Sequence, residues 1–234
     1  MAAEAPVSSE PEIRLGYWDI RGLVEPIRMI LYHKGIPYKF ETFPMDERGK
    51  LHPAWHEGKL ELGLDFPNLP YYIDKDIQIA QSGAILKYVA NKYGMGAENS
   101  LEEAKMNEVA DLIKLELHYF FFLTCYSRDQ FETMKQVSVP QATGVFKQLD
   151  QFLEEKTWLF GDRLTYPDFH LWSMMDAYLI LEPTVMDGCE RLQKYKERFE
   201  EIPSVKEYTS RAEFNKYQLC HPIAAFGGSG KPPQ

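Results

Sequence analysis

Apolar and polar positions along the first ninety residues change period several times. Glu12 to Trp18 predicts a strand. Arg21 to Pro26 turns the chain into a helix carrying Ile27, Met29, Ile30 and Leu31, which Gly35 ends. Pro26 suits a first helical position, because the N–H it lacks has no intrahelical partner there. Tyr38 to Phe43 predicts a second strand, and Pro44 to Lys59 an irregular polar loop around Trp55. Tyr71-Tyr72-Ile73 and Ile77-Gln78-Ile79 alternate about the polar turn Asp74-Lys75-Asp76, which is a hairpin pattern. Ser82 is placed to cap a helix that runs through Ile85, Leu86 and Val89 to about Tyr93. The order β-α-β, loop, β-β-α predicts a small mixed sheet covered by helices.

Gly94 to Ser100 is a break in composition, and beyond it every period is helical. Met106, Val109, Ile113, Leu117 and Phe120 step along one helix, whose end Phe120-Phe121-Phe122-Leu123 is apolar all round and so expected to be buried on several sides. Pro140 is expected to open the next helix, with Val145, Phe146, Leu149, Phe152 and Leu153 inward. Thr165 and Asp168 have capping-box spacing, with aspartate in place of the usual glutamate, before an apolar helix that Pro183 ends. Two amphipathic helices follow, over roughly 189–201 and 204–214. The expected division is a mixed α/β domain over 12–93, a linker over 94–101 and an all-helical domain over 102–222. Residues 1–11 and 223–234 are expected to be flexible tails.

Bulk properties narrow the function. A formal net charge of −9 argues against nucleic acid as a partner, since phosphate binding needs a basic surface. No apolar run reaches the ~20 residues that span a bilayer, and the N-terminal segment lacks the basic and apolar regions of a signal peptide. Cys125, Cys189 and Cys220 are widely spaced, without CxxC or zinc spacing, which predicts free thiols, no metal site and a cytoplasmic location.

Candidate chemistry concentrates between Leu62 and Ser82. An X-Pro bond ahead of a strand, Leu69-Pro70, is a candidate cis peptide. Such a bend turns the Leu69 amide and carbonyl outward, able to pair with an extended peptide as an added strand. The helix starting at Ser82 presents free amides and a partial positive charge to an anion. Together these can hold a small, extended, carboxylate-bearing peptide; an ordinary hairpin followed by a capped helix accounts for the same residues.

Leu15-Gly16-Tyr17-Trp18-Asp19-Ile20-Arg21-Gly22-Leu23, the run from Leu62 to Asp74, Gln81-Ser82 and the Thr165-Tyr166-Pro167-Asp168 box resemble the cytosolic glutathione S-transferases, specifically the mu class and its mu-like worm and mite forms. The resemblance implies a thioredoxin-like N-terminal domain, an all-helical C-terminal domain and a homodimer. It also implies glutathione as co-substrate with no cofactor, bound on the first domain, and a site for small hydrophobic electrophiles between the two. Tyr17 falls on the activating tyrosine, whose hydroxyl can donate to the glutathione thiolate and so lower the thiol's pKa. Trp18, Leu23, Trp55 and Lys59 match positions lining the glutathione pocket. Asn68, Leu69 and Pro70 match the clamp on the cysteinyl backbone, and Gln81 and Ser82 the γ-glutamyl carboxylate site. Phe66 matches an aromatic key that enters the partner subunit.

The chain departs from the family pattern in three places. His52 stands where mu enzymes usually carry an arginine, in a loop about one residue shorter, with Arg48 and Lys50 as other cations nearby. Glu116 falls on an acid that the partner subunit presents to the γ-glutamyl amine, where aspartate is usual. The electrophile side holds His118, Tyr119, Phe122 and Tyr126, an unusually aromatic set. Glutathione conjugation of electrophiles, in the sense of detoxification, is the leading function. A glutathione-dependent isomerase or peroxidase, or a non-catalytic ligand carrier or structural protein, uses the same scaffold.

Overall fold

The computed structural model describes residues 12–44 and 53–233. Its first part is a four-stranded sheet in the order β2-β1-β3-β4, with β1 Arg14–Tyr17, β2 Lys39–Thr42, β3 Tyr71–Ile73 and β4 Gln78–Ala80. β1 pairs parallel with β2 through the crossover helix α1, Glu25–His33, while β1–β3 and β3–β4 are antiparallel. The register sets Tyr17 opposite Thr42, Gly16 opposite Tyr71, and Tyr71 opposite Ala80. The C-terminal end of β1, the chain entering β3 and the chain leaving β4 therefore share one end of the sheet.

The loop expected before β3 contains a short helix, α2 (Pro53–Gly58), and a 3₁₀ turn, Lys59–Leu62. Trp55 makes this possible: it is buried, stacked on Tyr71 and edge-on to Phe43, so one anchored side chain orders a polar stretch that has no period of its own. The Asp74 carboxylate fixes the hairpin turn. It accepts the amides of Asp76 and Ile77, the Tyr72 and Tyr88 hydroxyls and the Lys92 ammonium.

Helix α3 (Ser82–Lys92) packs with α1 on the sheet, and the remaining elements are helices: α4 Ser100–Leu112, α5 Tyr119–Cys125, α6 Phe131–Leu153, α7 Tyr166–Leu181, α8 Glu190–Glu200 and α9 Pro203–Ser210. Helix α7 is buried at every position from Tyr166 to Tyr178, as a helix with apolar residues all round must be. It packs against α1, which joins the two halves of the molecule.

Three expectations are corrected here. The single helix expected through Phe120 is interrupted by a π-helical segment, Ile113–His118. The wider turn rotates the following face, so that Phe121 rather than Phe120 is buried, and Tyr119 and Leu123 are exposed. Pro140 lies inside α6 and does not open it. Proline removes one hydrogen bond there, at a cost of about 3 kcal/mol, which burial of Ala142, Val145, Phe146, Leu149 and Leu153 on the same helix exceeds. Residues 223–228 are packed, not loose. Ala225 donates to the Cys125 carbonyl, Cys220 donates to the Gly227 carbonyl, and Phe226 stacks on Phe131. Gly228 permits this return, because a Cβ there would lie 2.3 Å from the His221 carbonyl oxygen.

Candidate active site

Tyr17 ends β1 with its side chain buried. Its hydroxyl oxygen accepts the Leu23 amide at 3.2 Å, so the phenolic proton points away from that bond and is available to a second acceptor. Burial pushes this hydroxyl well above the ordinary tyrosine range against the opposing pull of the Leu23 amide, which keeps the proton on Tyr17 at neutral pH. The turn requires glycine at 22: its φ is +42°, and a Cβ would come 2.8 Å from the Tyr17 hydroxyl. Trp18 and Leu23 flank Tyr17 half-buried.

At the same end of the sheet, the Leu69-Pro70 bond is cis. The Leu69 amide, expected to face outward, instead donates to the Oδ1 of exposed Asn68 at 2.9 Å. Asn68 is a short polar side chain one residue back, and it satisfies the amide locally. Gln81 leaves β4 with φ +74° and ψ +109°, a conformation that L-residues rarely hold. Ser82 was the expected cap but is the first helical residue, and no side chain caps α3. The strained residue and the open helix start are thus adjacent. Lys59, half-buried, begins the 3₁₀ turn that follows Trp55. His52, Arg48 and Lys50 lie outside the described residues.

The register thus brings Tyr17, Trp55, Asn68, Leu69, Pro70, Gln81 and Ser82 to one sheet end. The expected electrophile set is divided. His118 is buried, paired with His170 at 2.9 Å and packed beside the Phe122 ring, so it cannot line an open surface. Burial, the paired His170 and the Lys114 charge push His118 well below the ordinary histidine range, and burial with Lys114 takes His170 down to about 3. Tyr119 is 57% exposed and touches Phe120 edge-on. Phe122 is half-buried and edge-on to Tyr126, whose hydroxyl accepts the His221 amide at 2.9 Å. Glu116 accepts from Gln141 of the same chain at 2.5 Å.

The C-terminal segment was missed in the sequence. Arg21 and Gly22 donate their amides to the carbonyls of Gln218 and Leu219, and Tyr126 meets His221. Residues 218–221 therefore run between Tyr17 and Tyr126. The buried Arg21 guanidinium holds this arrangement, donating to Asp176 at 2.6 Å and to the Lys216 carbonyl at 2.9 Å, and lying over Phe214 and Trp172. The available signal was an arginine inside an apolar motif, which needs a buried carboxylate somewhere in the chain.

Models of the glutathione S-transferase N-terminal and C-terminal domains match residues 13–91 and 116–212. The class-mu 26 kDa glutathione S-transferase isozyme of Schistosoma japonicum is 36% identical over 94% of this chain and 98% of its own length. The chain belongs to the glutathione S-transferase family. Glutathione S-transferase Mu 4 of Mus musculus is 35% identical to this transferase over 91% of the chain and 97% of its own length. Among solved structures, the glutathione S-transferase Blo t 8 superposes with a TM-score of 0.81 at 31% identity, covering 92% of this chain and 99% of its own. The mixed sheet of the transferase is accordingly a thioredoxin-like domain, and its helices form the all-α second domain. Among the described residues no helix is long and apolar enough to cross a membrane.

Proposed function

We propose that this transferase binds glutathione at the shared sheet end and joins its sulfur to hydrophobic electrophiles. The observation that carries the reading is the Tyr17 hydroxyl, buried, protonated and with its oxygen already held by the Leu23 amide. A donor fixed in this way stabilises a thiolate more than a thiol, so the bound thiol releases its proton to solvent near neutral pH. The sulfur electron pair then forms the bond to the electrophilic carbon, and the leaving group departs with its own pair. Leu69 and Asn68 clamp the cysteinyl backbone, which requires the Leu69 amide to exchange Asn68 for the peptide. Gln81 and Ser82 take the γ-glutamyl carboxylate, while Trp55 and Lys59, with Trp18, take the glycyl end. Tyr126 and Phe122 border the electrophile.

Tyr17→Phe tests this. A hydrogen bond to a charged group contributes about 1.5–3 kcal/mol, so turnover of an aryl halide at neutral pH should fall roughly ten- to a hundred-fold while glutathione affinity stays within a few-fold. The thiolate absorbance of bound glutathione should titrate at higher pH in the variant; an unshifted titration removes Tyr17 from the mechanism.

Phe66, 78% exposed on its loop, supports a homodimer in which this ring enters the second subunit. Phe66→Ser should shift sedimentation at low micromolar concentration toward monomer. Equal survival of both proteins on dilution would assign Phe66 elsewhere.

A further inference from the structure

Helix α3 opens Ser82-Gly83, and the glycine is where a side chain of the second domain reaches in. The Lys114 ammonium, from the π-helical segment of the second domain, lies 3.1 Å from the position a Cβ on Gly83 would occupy. Any larger side chain at 83 would press on it. Lys114, Ser82 and Gly83 line a cavity of about 320 Å³ with Lys87, Asp111 and His170. Its charges sum in favour of an anion: two ammonium groups stand against the single Asp111 carboxylate, and His170 is neutral in its pair with His118. Among the described residues the Lys114 ammonium has neither an ion-pair partner nor a hydrogen-bond partner, while its carbonyl accepts the Tyr119 amide. The ammonium also stands beside the uncapped amides of α3.

We propose that Lys114 is a binding residue for the γ-glutamyl carboxylate, supplied from the second domain of the same chain across the start of α3. The proposal rests on the reading that Gln81 and Ser82 receive the γ-glutamyl end. In that role Lys114 adds a charge to what would otherwise be recognition by amides and neutral side chains alone. The π turn is the device that places it. The segment Ile113–His118 widens the helix just where Lys114 must turn toward Gly83 while Ile113 and Leu117 stay in the core. Gly83 is the complementary feature, leaving the room that the ammonium uses.

The test is calorimetric titration of the full-length protein with S-methylglutathione and with its analogue carrying a 4-aminobutyryl group for γ-glutamyl, which keeps the amine and lacks the carboxylate. Lys114→Met should weaken S-methylglutathione about ten-fold and the analogue less than about two-fold, while Lys114→Arg keeps binding of both within about three-fold of wild type. Turnover at saturating glutathione should be unchanged in both variants, so that the effect appears in KM. Unchanged S-methylglutathione affinity in Lys114→Met, or equal losses for the two ligands, overturns the proposal alone. No binding of S-methylglutathione by the wild-type protein overturns the glutathione reading, and the proposal with it.

Discussion

At the start of α7, the Asp168 carboxylate accepts from the Thr165 amide and hydroxyl, the Leu159 amide and the Tyr195 hydroxyl, all between 2.7 and 3.0 Å. At the start of α3, no side chain caps the helix and the preceding Gln81 is held at positive φ. Both termini are flanked by residues that sequence rules favour for capping, serine in one and threonine with aspartate in the other. They differ in what surrounds them. The α7 start is sealed inside the second domain, where an unmade hydrogen bond would stay unmade, so the chain completes it. The α3 start faces the sheet end that Tyr17 occupies, and no side chain takes up its amides. A helix terminus closed by its own sequence is a structural joint; the one left open here is the terminus to which the proposed function assigns the γ-glutamyl carboxylate.

This contrast can be broken most directly at Asp168. Asp168→Ala leaves the Leu159 amide and Tyr195 hydroxyl buried without partners, and should cost about 3–5 kcal/mol of unfolding free energy by denaturant titration. A loss below 1 kcal/mol would mean that α7 starts well without its box.

Parallel alanine substitutions sharpen the comparison. Thr165→Ala should cost about 1 kcal/mol, the ordinary value of a cap, and leave glutathione affinity alone. Ser82→Ala should move stability by no more than about 0.5 kcal/mol, because it removes no cap, yet weaken S-methylglutathione. Matching stability losses at the two sites would mean that the two helix starts are held alike. At Gln81 two opposing terms nearly cancel. Gln81→Gly relieves the positive φ but adds freedom to the unfolded chain, so stability should change by less than about 1 kcal/mol, with a net gain. Its affinity for S-methylglutathione should fall; a variant that binds as well as wild type would make the Gln81 strain incidental.

What the sequence revealed tracks how local the governing physics is. The hairpin, the α7 capping box and the cis Leu69-Pro70 bend are set by neighbours within a few residues, and each was legible. The π segment was not, because a 3.6-residue period read through Ile113 and Leu117 fits well up to the turn that breaks it. Pro140 misled for the opposite reason: its local preference is strong, and the packing of a 23-residue helix overrides it. His118 sat in an aromatic run that looked like a surface for ligands. Its partner, His170, is 52 residues away and invisible to any local rule. The Arg21–Asp176 pair, 155 residues apart, was illegible for the same reason.

The clasp of residues 216–221 on Arg21 and Gly22 also sets an order of events in synthesis. Arg21 reaches the Lys216 carbonyl across 195 residues, so the turn behind Tyr17 is finished only after nearly the whole chain has left the ribosome. Until then the guanidinium has neither Asp176 nor the late carbonyl, and water must solvate a charge that the finished fold buries in the turn behind Tyr17. The turn behind Tyr17 therefore stays unfinished in a newly made first domain until the last helices arrive.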